Sequence, residues 1–291
     1  MNIRSGLMLL ATLFTAQAAE LKQKTVQAWQ EYVESAKASM QGRLRPGAHF
    51  LKVDDDQLWI SKVRAGEILV LHGGSQGLTK VPSGLIHHWF GVAFIERTTL
   101  DQVLSVVRDH AHYKDFYYPT VVDSKTLSTN GLEDRFSMVL VNNSLLAKTA
   151  FASDYECRYI RVSDQRWYSI SESTRIQEIE NYGTPSEHML REGEGMGLLW
   201  RLFSISRFEE RDGGVYIEFE AIVLSRDIPI SLRWMIEPVV RRVSKSSLTM
   251  SLRQTEDAVR TGVTLADSRP QIHEILRVPS RTTETWSRSS R

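Results

Sequence analysis

Five strand-like segments follow one another between Arg135 and Ser225, and most of the joints between them are too short to hold a helix. They read "RFSMVLVN", "SDYECRYIRV", "RWYSISESTRIQEI", "LLWRLFSISRFEE" and "GVYIEFEAIVLS". Tight turns such as Asp164-Gln165 and Asp212-Gly213-Gly214 connect them, with one looser stretch, "YGTPSEHMLREGEG". Parallel neighbours need a crossover of roughly a dozen residues or more, so this spacing predicts an antiparallel meander.

The hairpin at Asp212 assigns the two faces of that sheet. With a two- or four-residue loop, Arg207 lies opposite Glu218 as a cross-strand charge pair. Arg201 and Glu220 fall on the same face, which is solvated or covered by another part of the chain. The other face gathers Trp200, Leu202, Ser204, Ser206 and Phe208 with Val215, Ile217, Phe219, Ala221 and Val223. This apolar surface carries two hydroxyls and has to be covered. The segment after it places Leu232, Met235, Ile236, Val239, Val240 and Val243 on one helical face, which predicts the cover. Pro238 interrupts the pattern and predicts a kink or a split, with Ser244 or Ser246 capping a second helix.

Upstream, "GLIHHWFGVAFIE" predicts a strand. Thr98 or Thr99, followed three residues later by Asp101 or Gln102, predicts a capped helix with Leu100, Val103, Leu104 and Val107 as its buried stripe. Residues 20–41 predict an amphipathic helix through Val26, Trp29, Val33, Ala36 and Met40. The pieces "AHFLKV", "QLWISKV" and "EILVLHGG" predict short strands.

Strand, short helix, long meander and terminal helix follow the order of a known architecture. Residues 82–260 resemble the START-like superfamily, with its polyketide-cyclase-like and coenzyme-Q-binding branches. The resemblance is carried by "TLDQVLSVVRDHAHYKDFYYP", "RFEERDGGVYIEFEAIVLSRDIP" and "LRWMIEPVVRRV". It implies an α+β helix-grip fold over residues 82–262, an antiparallel curved sheet wrapped around a long C-terminal helix. Residues 20–81 form a helical and β extension outside the resemblance. The Ser/Thr/Arg-rich stretch 263–291 has no apolar period and reads as a disordered tail. The resemblance also implies a lipid, polyketide or other apolar molecule held between sheet and helix, with catalysis in some branches.

The first residues, "MNIRSGLMLLATLFTAQAAE", place Arg4 before an apolar run from Leu7 to Phe14 and close on Ala16-Gln17-Ala18. This reads as a signal peptide over residues 1–19, directing the chain to the periplasm or outside the cell. Cys157 is the only cysteine, so no internal disulfide is available. The chain carries 36 basic and 35 acidic residues, and the leader removes one basic residue. A balanced chain lacks the basic surplus that nucleic-acid binding needs.

Several motifs compete for a chemical role. His87 and His88 are adjacent on a strand, so they point to opposite faces and cannot chelate one ion together. His88 shares its face with Phe90, Val92 and Phe94. His110 and His112, with Asp109 and Asp115, read as a polar helix terminus without metalloprotease spacing. Gly73-Gly74-Ser75-Gln76-Gly77 matches G-x-S-x-G, but Pro82 and a second strand follow where a nucleophile elbow needs a helix, so a glycine-rich turn is the better reading. "REGEGMG" lacks the strand and helix of a phosphate loop.

The functional expectation is binding or transfer of a hydrophobic small molecule or lipid, with no cofactor or metal and with room for transient membrane contact. The lining expected is Phe90, Phe94, Phe208, Ile217, Phe219, Met235, Ile236 and Val239, with Tyr117 at the rim and His88, Ser204 and Ser206 as polar groups inside. The alternatives are a cyclase or hydrolase using polar groups in the same cavity, and a fully packed interaction module.

Overall fold

A computed structural model describes residues 22–74, 77–143, 148–228 and 230–267, without the side chains of 143, 148, 230–237, 239 and 263–267. The residues read as a signal peptide, 1–19, and all but 263–267 of those read as a tail lie outside the described residues. The extension begins with α1 (Gln23–Arg43), which buries Trp29, Val33, Ala36 and Met40 as its period predicts. Two of the short strands expected after it are absent. "AHFLKV" ends in a 3-10 turn at Lys52–Asp55. "QLWISKV" is a helix, α2 (Gln57–Arg64), because Asp56 caps it by accepting a hydrogen bond from the Leu58 backbone N–H.

Among the described residues ten antiparallel strands make one sheet: β1 (Leu69–His72), β2 (Leu78–Val81), β3 (Gly84–Glu96), β4 (Val121–Asn130), β5 (Glu133–Asn143), β6 (Lys148–Arg161), β7 (Arg166–Glu180), β8 (His188–Met189), β9 (Arg201–Arg211) and β10 (Gly214–Arg226). Their order is β1-β3-β10-β9-β7-β6-β5-β4, with β2 on β3 and β8 on β7. The strands β4 and β8 carry mostly exposed polar residues and escape a hydrophobic-pattern reading.

Between β3 and β4 lie α3 (Leu100–Val107) and the short turns His110–His112 and Tyr113–Phe116. Thr99 and Gln102 close the expected capping box on α3. The terminal helix α4 (Ile230–Asp267) runs unbroken through Pro238, so the expected split does not occur, and Ser244 and Ser246 sit inside the helix. Pro238 is exposed.

The sheet separates two cores. On its inner face Ala93, Ile95, Phe208, Val215 and Ile217 pack with α3 and with Leu252 and Val259 of α4. Gly91 marks the closest approach of helix and sheet, since a Cβ there would stand 2.6 Å from Leu252 and 2.8 Å from Leu248. On the outer face the extension packs Trp29, Met40, Leu51 and Val53 against Phe94, Phe203, Ile205, Tyr216 and Ile222. Trp200 joins this outer cluster, against its expected place on the inner face.

Candidate ligand-binding cleft

The hairpin register is as the turn chemistry predicts, with Glu218 opposite Arg207. Two cross-strand rows therefore span the inner face. One runs Trp89, Ala221, Ser204, Ser171, Cys157, Asp134, and the next runs Gly91, Phe219, Ser206, Ser169, Tyr159. Ser204 pairs with Ser171 and Ser206 with Ser169, so four hydroxyl-bearing side chains form a square at the centre of the sheet. Positions that normally hold branched apolar residues here hold small ones.

This face is partly open. On the central strands Leu202, Ser206, Phe219, Ala221, Val223 and Ser171 are only half-buried. Their chain neighbours on the outer face, Phe203, Ile205, Glu218, Glu220 and Ile222, are buried. At the α3 end a hollow of about 420 Å³ is lined by Leu104, Arg108, Asp134 and Trp167 among others. Asp134 and Trp167 are inner-face positions.

His87 stands on the same face at the β3 flank, and its Nε2 lies 2.8 Å from Ser225 Oγ. Burial, aided by the charge of Arg241, pushes this imidazole down to about 4, so it is neutral at ordinary pH. On β6, burial raises Tyr155 to about 12, a rise the nearby Ser153 hydroxyl moderates, and raises the Cys157 thiol to about 11. A thiol held that high is a poor nucleophile.

The outer face holds a second polar constellation. Arg207 donates from Nη1 to Glu218 at 2.9 Å and from Nη2 to Glu220 at 2.6 Å. Glu218 also accepts from the backbone N–H groups of Lys52 and Val53. His88 Nε2 lies 2.8 Å from Glu220, and its Nδ1 lies 3.0 Å from the Tyr32 hydroxyl. All of Arg207, Glu218, Glu220 and His88 are buried. Burial raises the carboxyl of Glu218 against the opposing pull of Arg207 and Arg43. Burial would also raise Glu220, but the hydrogen bond from His88 and the charge of Arg207 outweigh it and hold that carboxyl below its usual range. The G-x-S-x-G motif belongs to this side. Gly73 N–H donates to the His88 carbonyl and His88 N–H donates to the Gly77 carbonyl, each at 2.9 Å, so the two outer glycines of the motif hold one strand residue, while Ser75 and Gln76 lie outside the described residues.

The expected lining divides accordingly. Phe208, Ile217, Phe219, Ser204 and Ser206 lie on the inner face. Phe90, Phe94 and His88 do not, because the alternation of β3 turns them outward: Phe94 meets Tyr216, Phe90 lies under Lys52 and Arg207, and His88 meets Tyr32. Tyr117 is tied to α4, its hydroxyl 3.0 Å from that of Thr255. Met235, Ile236 and Val239 have side chains outside the described residues. His110 is buried against Phe136 and Asp134, and His112 pairs with Asp109. His87, Trp89, Ser153, Ser169, Ser171 and Tyr155 were missed. The alternation of "SDYECRYIRV" and "RWYSISES" could have assigned the β6 and β7 residues once the register was known.

The first long strand lies beside the last, the meander completes the sheet, and one C-terminal helix crosses the inner face. This is the α+β helix-grip arrangement expected from the resemblance. Solved structures similar to it include a STAR-related lipid transfer protein from Xanthomonas axonopodis, 15% identical with a TM-score of 0.42, covering 66% of this chain and 98% of that one. Human STARD10 is 10% identical with a TM-score of 0.41, covering 81% of this chain and 93% of that one. The Zhui aromatase/cyclase from a Streptomyces species is 14% identical with a TM-score of 0.36, covering 60% and 96%. No family model matches the chain. Among curated proteins it is similar to the type VII secretion system protein EssC of Staphylococcus aureus, 23% identical over 151 residues, which is 52% of this chain. The chain spans about a tenth of the length of the curated relatives it matches, 10% in that case.

Proposed function

We propose that the chain, exported by its apolar leader, binds and carries a hydrophobic small molecule or lipid between the inner sheet face and α4. One observation carries the reading: Leu202, Phe219, Ala221 and Val223 sit on the inner face of central strands and are still half-buried. A packed core would bury them as fully as it buries Ile222 and Ile205 on the opposite face. An apolar ligand laid on that surface gains about 25 cal/mol per Å² before the cost of ordering it. The test is native mass spectrometry of the exported protein followed by organic extraction. A co-purified apolar molecule supports binding, and a clean apo mass with no uptake from a lipid mixture sinks it.

A second reading has its own observation. His87 and Ser225 place a neutral imidazole within 2.8 Å of a hydroxyl on the inner side of the sheet, and activation of that alcohol would require its proton to turn from the Arg226 carbonyl, 3.2 Å away, to His87 Nε2. Labelling of Ser225 by a fluorophosphonate, lost in Ser225→Ala, would support an enzyme. An unlabelled protein would leave binding alone.

A further inference from the structure

The hollow at the α3 end has Leu104 and Trp167 in its wall and Asp101 and Thr129 at its sides. Arg108 Nη2 donates to the Gly131 carbonyl at 2.7 Å, which ties the β4–β5 turn to α3. Leu132 follows on that turn and Leu127 precedes it on β4, and both are exposed. Asp101 is exposed as well and has no ion pair among the described residues. Exposed leucines beside an open hollow mark a surface that something covers.

The chain itself carries a segment of matching character. Val259 is the last described side chain of α4 to be buried, and it shares one core with Leu104. The helix therefore ends on the α3 side of the molecule. Residues 268–291 follow it and lie outside the described residues. In them Ile272, Ile275, Leu276 and Val278 gather between Pro270 and Pro279, and five arginines stand against two glutamates. Reach is sufficient. Asp267 stands about 12 Å along the helix axis past Val259. The chain from Asp267 to Ile272 spans up to about 17 Å when extended. Pro270 lacks the N–H that a continuing helix needs, so the return is not bound to the axis of α4. A peptide also suits this lining better than an apolar cargo molecule. Apolar side chains meet Leu104, Leu132 and Trp167 while an arginine meets Asp101, whereas a lipid would bury that carboxylate unpaired.

We propose that the chain's own segment 271–278 docks on the hollow between α3 and the β4–β5 turn and caps this end of the inner face, so that an entering ligand displaces it. The capping role rests on the reading of the inner face as a ligand cleft, and the docking does not. A tethered segment acts at an effective concentration of about 1 mM, so an intrinsic affinity near 0.1 mM seats it in about nine molecules of ten and weakens a competing ligand about tenfold.

Disulfide trapping in the full chain tests the docking, since the native Cys157 is buried. Under mild oxidation Leu132→Cys with Leu276→Cys is expected to close an intramolecular bridge at least tenfold faster than Leu58→Cys with Leu276→Cys. Leu58 is an exposed control on α2, which belongs to the extension on the other face of the sheet. Equal rates, or no bridge in either, overturn the docking. A bridge between two molecules assigns the segment to a second copy and overturns the intramolecular contact. Affinity for a fluorescent fatty acid then tests the cap. Ile275→Asp with Leu276→Asp should tighten it roughly tenfold, and the bridged form should bind almost none. Unchanged affinity in both overturns the cap and leaves the cleft standing. Binding by no form of the protein removes the cleft and the cap together, while the trapping result still decides the docking.

Discussion

Arg207 and Glu218 face each other directly across the β9–β10 hairpin, 2.9 Å apart, with almost no exposure at either side chain. Glu218 also holds the Lys52–Val53 backbone, so a pair that looks in sequence like a surface ion pair is the clasp of the extension. Removing one partner leaves buried charge uncompensated. Arg207→Met should therefore destabilise the fold by roughly 3–5 kcal/mol. Urea denaturation followed by tryptophan fluorescence measures it, and a loss below about 1 kcal/mol would show that water reaches the two carboxylates.

The loop at Gly73 is fitted to His88. A Cβ at position 73 would stand 2.2 Å from the imidazole ring, so Gly73→Ala must displace the ring from Tyr32 and Glu220. The expected result is a loss of roughly 1–3 kcal/mol together with faster proteolysis inside residues 22–81. An unchanged cleavage pattern would mean that this contact does not hold the extension down.

His87 gives a pH dependence whose sign can be worked out. Folded, the group titrates near 4, and its ordinary value is 6.5. As pH falls through 6.5 the unfolded chain takes up a proton that the folded chain refuses until about 4, so stability is lost across that window. The loss approaches roughly 3 kcal/mol at the acid end. Comparing melting temperature against pH for the wild type and His87→Gln isolates it, since the substitution should flatten the slope between 6.5 and 4.

Phe219 is the half-buried aromatic at the middle of the inner face, paired with Gly91 on one side and Ser206 on the other. Phe219→Arg should abolish uptake of a fluorescent fatty acid while the melting temperature shifts only a few degrees. Full uptake by the folded variant would remove this face from the cleft.

Gly91 bears the crossing of α4. Because Leu248 and Leu252 fill the space where a side chain would go, Gly91→Val should destabilise by roughly 1–3 kcal/mol. Pairing it with Leu252→Ala should recover part of the loss, and a double variant worse than the sum of the two would refute close contact at this point.

The sequence by itself determined the elements whose signal is local. Thr99 and Gln102 mark the start of α3, the period of Trp29, Val33, Ala36 and Met40 marks α1, and Asp212-Gly213 fixes the register that sets Arg207 against Glu218. Alternation also separated Phe208, Ile217 and Phe219 from Arg207, Glu218 and Glu220, because strand side chains point alternately to opposite faces. Pattern misread the stretches whose fate was settled by a cap or by exposure: "QLWISKV" became a helix under Asp56, and β4 shows little apolar period.

Only the tertiary structure decided which face of β3 is inside. Val92 and Phe94 are as apolar as Ala93 and Ile95, so composition cannot say which set meets the terminal helix. The choice follows from two partners distant in sequence. Leu248 and Leu252 need the bare backbone of Gly91 on one side, and Tyr32 and Glu220 need the imidazole of His88 on the other. The serine square is decided in the same way, since its residues come from two strands that pair across a long connection and meet only when the sheet closes its register.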